Sequence, residues 1–320
     1  MKILVKDPGL STTVQDRGRP GYYHLGIPQS GAADRFSADI ANALVGNSAE
    51  DAVLECTYTG PTLQFSDYAE IAVTGAPVEV LVNGTKFSTW TRIHLRPDDE
   101  LSFGDLKEGI RFYVAVRGGF DVPKVLGSRS TYLLGGIGGY QGRKLESGDE
   151  LCSGTESRPL PKLLYLAENL RPTFSKEQQV RVLLGLYDHY MTEEGRRRLL
   201  ETEWELTPTA DRMGLRYEGP GIEWAPRTPK FGAGSDPSNI VDAGYAVGSI
   251  QIPGGTQPII LHRDAVSGGG YAMVATLISV DLDLVARASA GTRTTFIEVD
   301  MDFALEERRK YQRLVDMFWD

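Results

Sequence analysis

Residues 262–272 read HRDAVSGGGYA, with apolar PIIL before them and MVATL after. An aspartate, a serine, three glycines and a tyrosine in eleven residues could serve three kinds of loop. A phosphate-cradling loop needs GxxxxGK[ST], and no lysine follows here. A nucleophile elbow needs GxSxG, but Ser267 is preceded by Ala265 and Val266. A dinucleotide fingerprint needs GxGxxG opening a helix, whereas Gly268, Gly269 and Gly270 are consecutive. What remains is a bend between two strands whose glycines let backbone approach a ligand, with Asp264 on its rim. The N–H groups of Gly269 and Gly270 could then form an anion-binding element.

Three other stretches concentrate polar residues among glycines and prolines. Residues 12–35 carry Gln15, Asp16, Arg17, Arg19, Ser30 and Asp34. There Asp16 and Arg19 could form an ion pair, while Ser30 or Asp34 caps the next helix or takes part in a site. Residues 121–151 carry Ser128, Arg129, Ser130, Thr131 and Arg143. Arg129 and Arg143 could clamp a carboxylate bidentately, or Arg143 could hold the turn LESGDEL. In the second half, Asp211 and Arg212 are adjacent and by default pair with each other. Asn239 follows a Gly/Asp/Pro/Ser turn and either closes an Asx-turn or reads a planar substrate.

The elements that must position these groups are mostly strands. Thirty-six glycines and seventeen prolines punctuate apolar runs such as KILV, AEIAVTG, RFYVAV, VRVLLG, SIQI, QPIIL and TTFIEV, each of strand length. Asn83-Gly84 between VEVLV and TKFST predicts a tight hairpin. Three helices are expected. One lies between Ala33 and Gly46 with the stripe Phe36, Ile40, Leu44; one is capped by Thr192; one starts near Phe303 and packs through Leu305, Leu314, Met317 and Phe318. Patterning lapses between Leu151 and Gln178, which places a domain boundary near residue 172 and predicts two related β-rich domains, 1–172 and 173–320.

Composition narrows the function classes. With 34 basic against 43 acidic residues the net charge is -9, which disfavours nucleic acid and anionic membranes as partners. No apolar run reaches about 18 residues and the start MKILVKDPGL lacks a signal-peptide core, so a cytoplasmic protein is expected. Cys56 and Cys152 lack CxxC spacing and the four histidines show no HExxH pairing, so neither a disulfide framework nor a metal site is expected.

Taken in order, PGLSTTVQDRGRPGYYHLGIPQSGAAD, ANALVGN, AVLECTYTGPTLQF, VRGGFDVPKVLGSRSTY, GGYQGR, DRMGLRYEGP, GSIQI, QPIIL and GGGY followed by a DL pair resemble the allophanate hydrolase subunit 2 family. This is the carboxyltransferase subdomain A/B family, which includes the C subunit of bacterial 5-oxoprolinase and part of urea carboxylase. The resemblance implies a mainly β fold of two cyclophilin-like barrels with a few short helices and a cleft between them. It also implies a subunit 1 (subdomain C/D) partner. One branch transfers a carboxyl group from biotin presented by another chain, working with a biotin carrier and biotin carboxylase. The other opens 5-oxoproline to glutamate with ATP, working with the A subunit of 5-oxoprolinase. No cofactor is expected to be attached to this chain, which lacks a Met-Lys-Met biotinylation context. The loop at Asp264 departs from the DRQTTGGYP-like form of the 5-oxoprolinase branch, whereas the PSN stretch at Asn239 resembles the urea carboxylase branch. Within either chemistry the expected catalytic residues are Asp264, Asn239 and Arg212. The expected substrate- or carboxybiotin-binding residues are Gln15, Asp34, Arg129, Ser267, Gly269, Gly270 and Tyr271. The rival expectation is a regulatory module that sequesters a subunit 1, kinase-inhibitor-like partner.

Overall fold

A computed structural model describes residues 1–156, 158–228 and 230–319. The chain divides into two compact units. The first comprises residues 1–19, 30–174 and the stretch from Leu314; the second comprises 20–29 and 175–313.

The first unit contains β1 (Lys2–Asp7), β2 (Ser11–Gln15), β3 (Val53–Thr57), β4 (Thr62–Phe65), β5 (Ala69–Gly75), β6 (Val78–Val82), β7 (Thr85–Phe87), β8 (Arg92–Leu95), β9 (Glu100–Leu106), β10 (Arg111–Val116) and β11 (Glu150–Cys152). These form a six-stranded sheet, β11-β1-β4-β9-β6-β7, and a five-stranded sheet, β2-β3-β10-β5-β8. Alternation decides which side chains meet between them: Ile3 and Val5 from one sheet share a core with Leu54, Phe112, Val114 and Val116 from the other. Asn83 and Gly84 both take left-handed φ in the β6–β7 hairpin, as their types require.

Helix α1 (Arg35–Leu44) covers the outer face of β10 and β5, so β10 is buried along its whole length. Its start is docked by polar groups. The Asp34 carboxylate caps the helix, accepting from the Ser37 N–H (3.1 Å) and hydroxyl (2.5 Å). The Asp34 N–H donates to the Tyr113 phenol (2.9 Å), which donates in turn to Glu55 (2.9 Å). Burial, and then the Glu55 charge, push the Tyr113 phenol well above its ordinary range, so it remains a donor.

The second unit contains β12 (Glu177–Leu184), β13 (Trp204–Leu206), β14 (Gly214–Glu218), β15 (Asn239–Gly244), β16 (Ser249–Gln251), β17 (Ile259–Leu261), β18 (Gly268–Tyr271), β19 (Met273–Leu277) and β20 (Arg293–Glu298). Seven of them close a barrel, β12-β19-β16-β17-β14-β13-β20, sealed by the parallel pairing of β12 with β20. Closure leaves the barrel without an open edge. β15 and β18 stay outside it as a two-stranded ribbon. Helix α2 (Glu193–Glu201) begins at Thr192, whose hydroxyl accepts from the Gly195 N–H (3.0 Å).

Two helical details differ from expectation. α3 (Asp281–Arg287) is unannounced because DLDL alternates with the period of a strand. α4 (Met301–Asp316) buries Ala304 and Val315, whereas Leu305 and Met317 stay exposed.

Trp204 is fully buried in the barrel core, and a Cβ on Gly219 would lie 2.4 Å from its ring. Gly219→Ala is therefore expected to destabilise the protein by about 1–3 kcal/mol. Chemical denaturation followed by tryptophan fluorescence measures this.

Candidate functional site

β14 and β17 are antiparallel barrel neighbours, with Gly214 opposite Leu261. Their ladder runs on past the strand ends, as the His262 N–H donates to Met213 O and the Asp264 N–H to Arg212 O, both at 2.9 Å. This extension brings Arg212 and Asp264 together. Arg212 Nε donates to Asp264 Oδ2 (2.7 Å) and Nη2 to Oδ1 (3.1 Å), a bidentate pair with both side chains largely withdrawn from solvent. The expected Asp211–Arg212 pairing is not formed. Asp211 Oδ1 instead accepts from the N–H groups of Met213 (2.8 Å) and Gly214 (3.0 Å), a local turn that leaves Arg212 to reach across.

Groups that the sequence did not single out surround this pair. Tyr23, on the short 3-10 turn Tyr23–Leu25, lies within the electrostatic range of Arg263 and Asp264. Burial raises its phenol above the ordinary value, the Arg263 charge opposes this and Asp264 adds to it, so Tyr23 is a neutral O–H donor at pH 7. Behind the pair, His262 Nε2 donates to Leu282 O (3.2 Å), and Arg263 stands 3.8 Å from Asp283, which accepts from the Tyr311 phenol (2.8 Å). The local signal for His262 and Arg263 was HRD, three polar residues that follow an apolar strand, and Tyr23 lies in the polar stretch 12–35.

The three glycines do not make the bend. It falls at residues 262–267, where the Ala265 N–H returns to His262 O (3.0 Å), and Gly268–Gly270 lie within β18. In the ribbon Asn239 faces Tyr271, Ala243 faces Gly269 and Gly244 faces Gly268. Tyr245 clamps it: its phenol accepts from the Tyr271 N–H and donates to the Tyr271 carbonyl, each at 2.8 Å. A Cβ on Gly269 would stand 3.1 Å from the Tyr245 ring, which explains a small residue there. Tyr245 and Ala265 share a small core with Leu261 and Met273, coupling the ribbon to the segment that carries Asp264. The Asx-turn before β15 belongs to Asp236, which accepts from the Ser238 N–H (2.8 Å), and not to Asn239. Ser267 contributes its carbonyl, accepting from the Tyr245 N–H (2.8 Å).

Gln15, Asp34 and Arg129 lie in the other unit. Gln15 donates to Thr131 O (3.2 Å), Asp34 caps α1, and Arg129 donates to Val122 O and Asp121, both at 3.0 Å. Asp16 links the loops there, accepting from Gly18 N, the Ser128 and Ser130 hydroxyls and Arg129 N at 2.5–2.7 Å. Arg143 holds a turn through a bidentate pair with Asp149 (2.7 and 2.8 Å). Among the described residues no His/Cys/Asp/Glu group could hold a metal ion. No described helix is long and apolar enough to cross a membrane.

The mainly β fold with its closed barrel is that of a carboxyltransferase domain. Kluyveromyces lactis urea carboxylase superposes with a TM-score of 0.94 at 33% identity, over 99% of this chain and 29% of that one. Residues 25–298 match the family described as carboxyltransferase domain, subdomain A and B, and the chain belongs to that family. Its relatives include the urea amidolyase of Saccharomyces cerevisiae, 33% identical over 94% of this chain but 17% of that protein. They also include the C subunit of Escherichia coli 5-oxoprolinase, 33% identical over 95% of this chain and 94% of that protein. The chain thus spans under a fifth of the yeast enzyme and nearly all of the bacterial protein.

Two expectations follow from the ion pairs. Asp264→Ala removes the buried carboxylate that both prongs of the Arg212 fork engage and should cost about 3–5 kcal/mol, whereas Arg212→Met with Asp264→Leu should recover most of that loss in denaturant titrations. Asp149 is held below the usual carboxylate range first by its bond to Arg143, so this pair stabilises the fold above roughly pH 4 and the contribution fades as pH falls through the depressed pKa. Arg143→Met should therefore lower stability at neutral pH and flatten its acid dependence, as read from melting temperatures between about pH 2 and 7.

Proposed function

We propose that this chain is one component of a multi-chain enzyme that acts on an amide or lactam. The observation that carries the proposal is the buried Arg212–Asp264 pair with the neutral Tyr23 phenol in its field. A buried ion pair contributes little stability relative to apolar residues of the same volume, so its presence at the strand ends of a barrel favours a role in binding.

The residues divide the work as follows. Each Asp264 oxygen holds one Arg212 donor and keeps lone pairs for a substrate N–H, so the carboxylate orients the amide or lactam nitrogen. Arg212 holds that carboxylate in place. Tyr23 donates toward the carbonyl oxygen, where negative charge develops as the group reacts. Asn239, opposite Tyr271 in the ribbon, adds a planar amide that matches an amide substrate, and the Gly269 and Gly270 backbone lets the substrate approach closely. Gln15, Asp34 and Arg129 serve the architecture of the first unit.

In the urea carboxylase-like form of this reading, biotin arrives on another polypeptide and this chain receives the carboxyl group at the site. In the 5-oxoprolinase-like form, ATP is consumed elsewhere in the complex. The chain has no GxxxxGK[ST] phosphate loop of its own. A subunit 1 partner fits either form. Its docking is supported by apolar residues left in solvent on the second unit: Leu186, Phe231, Val241, Val266 and Tyr271. A purely sequestering module would use exposed apolar residues too, but would have no use for the Asp264 cluster.

Co-expression with a subunit 1 chain, followed by assays of ATP-dependent glutamate release from 5-oxoproline and of carboxybiotin-dependent carboxylation of urea, tests the reading. One of the two activities is expected, and Asp264→Ala and Asn239→Ala should each lower it by about 100-fold or more in kcat. Full activity in both variants would remove the site assignment. A stable complex without either activity would favour sequestration.

A further inference from the structure

A cavity of about 450 Å³ opens on the first unit beside the glycine-rich loop 136–142. Its walls are apolar, with Val122, Val125, Ile137, Tyr140 and Leu151 among them. Two wall carbonyls are already engaged: Val122 O accepts from Arg129 Nε (3.0 Å) and Val125 O from Arg19 Nε (3.5 Å). The loop is pinned from behind. Gly138 and Gly139 take left-handed φ, and side chains there would run into Ser130 O and the Thr131 hydroxyl at 2.0 and 1.8 Å. The cavity is therefore held open by the fold and needs no ligand to form it.

Charge sits at its lining in one sign. Asp121 and Glu150 both border the cavity, and each carboxylate has only one oxygen occupied, Asp121 Oδ1 by Arg129 (3.0 Å) and Glu150 Oε2 by Lys2 (2.9 Å). The second oxygen of each has no protein donor among the described residues. An apolar interior of this volume takes a small organic body, and carboxylate oxygens at its edge take an N–H donor. The net charge of -9 favours a cation over an anion. We propose that this cavity is a binding site for a small organic cation, a ring-sized apolar body carrying one ammonium group.

Cys152 lines the same cavity and is exposed, whereas Cys56 is fully buried. The thiol of Cys152 is therefore a reporter of occupancy within the full chain. The alkylation rate of Cys152 by N-ethylmaleimide, read by intact mass, is compared with phenethylamine, its neutral counterpart phenethyl alcohol and the anion 3-phenylpropanoate as probes. Saturable slowing by the amine is expected, with the alcohol and the anion weaker by about ten-fold or more, the worth of one charge-assisted contact. Glu150→Gln should weaken the amine by about five-fold, as suits an exposed carboxylate, and leave the alcohol unchanged. Ile137→Trp should abolish protection by filling the cavity. Cys152→Trp, at an exposed position of the lining, should abolish amine binding in calorimetry even if the Ile137 variant folds poorly. Equal protection by all three probes, no saturable binding, or binding that survives Cys152→Trp would overturn the proposal.

Discussion

A carboxylate taken out of water must be met by donors, and this requirement places the loops of both units. In the first unit the Asp16 carboxylate collects two backbone N–H groups and two serine hydroxyls, drawn from residues 18 and 128–130. Segments more than a hundred residues apart are thereby closed onto one another. The glycine-rich loop that follows inherits its position from that closure, and Gly138 and Gly139 are glycines because Ser130 and Thr131 have been brought against them. Glu55 does the same for α1, gathering the Ala33 N–H (2.8 Å) and the Tyr113 phenol at the start of the helix.

In the second unit the constraint acts on Asp264, and the donor is a side chain instead of a set of amides. The barrel supplies the precision. β14 and β17 are locked in register on both sides by closure, so residues just beyond their ends cannot slide relative to one another. Arg212 therefore meets Asp264 with both prongs of its fork. The ribbon is not held by closure and depends on local clamps, chiefly the Tyr245 phenol on the Tyr271 backbone. The ion pair is thus fixed by barrel closure, and the neighbouring glycine strand only by local clamps.

Much of the fold was legible from local patterns because its causes are local. The β6–β7 hairpin needs positive φ at two successive residues and Asn83-Gly84 supplies it. The starts of α1 and α2 need a side-chain acceptor, and Asp34 and Thr192 are such residues. The same logic failed where local pattern and element disagreed: DLDL has the period of a strand but forms α3, and GGG has the composition of a turn but extends β18. In β18 the choice was made by pairing with β15 and by the Tyr245 ring, neither of which is encoded near the glycines.

The candidate site divides along the same line. The sequence by itself determined most strands and the helix caps, since propensity, spacing and turn chemistry act over a few residues, while its ordered motifs carried the resemblance to the family. It could not determine partners. Arg212 sits beside an aspartate in sequence yet bonds one 52 residues away, because the Asp211 carboxylate is consumed by its own turn while the β14–β17 ladder delivers Asp264. Tyr23 comes from a segment that joins the second unit although its neighbours in sequence belong to the first. Only tertiary structure could decide such encounters, because they follow from which strands pair and not from what any one segment prefers.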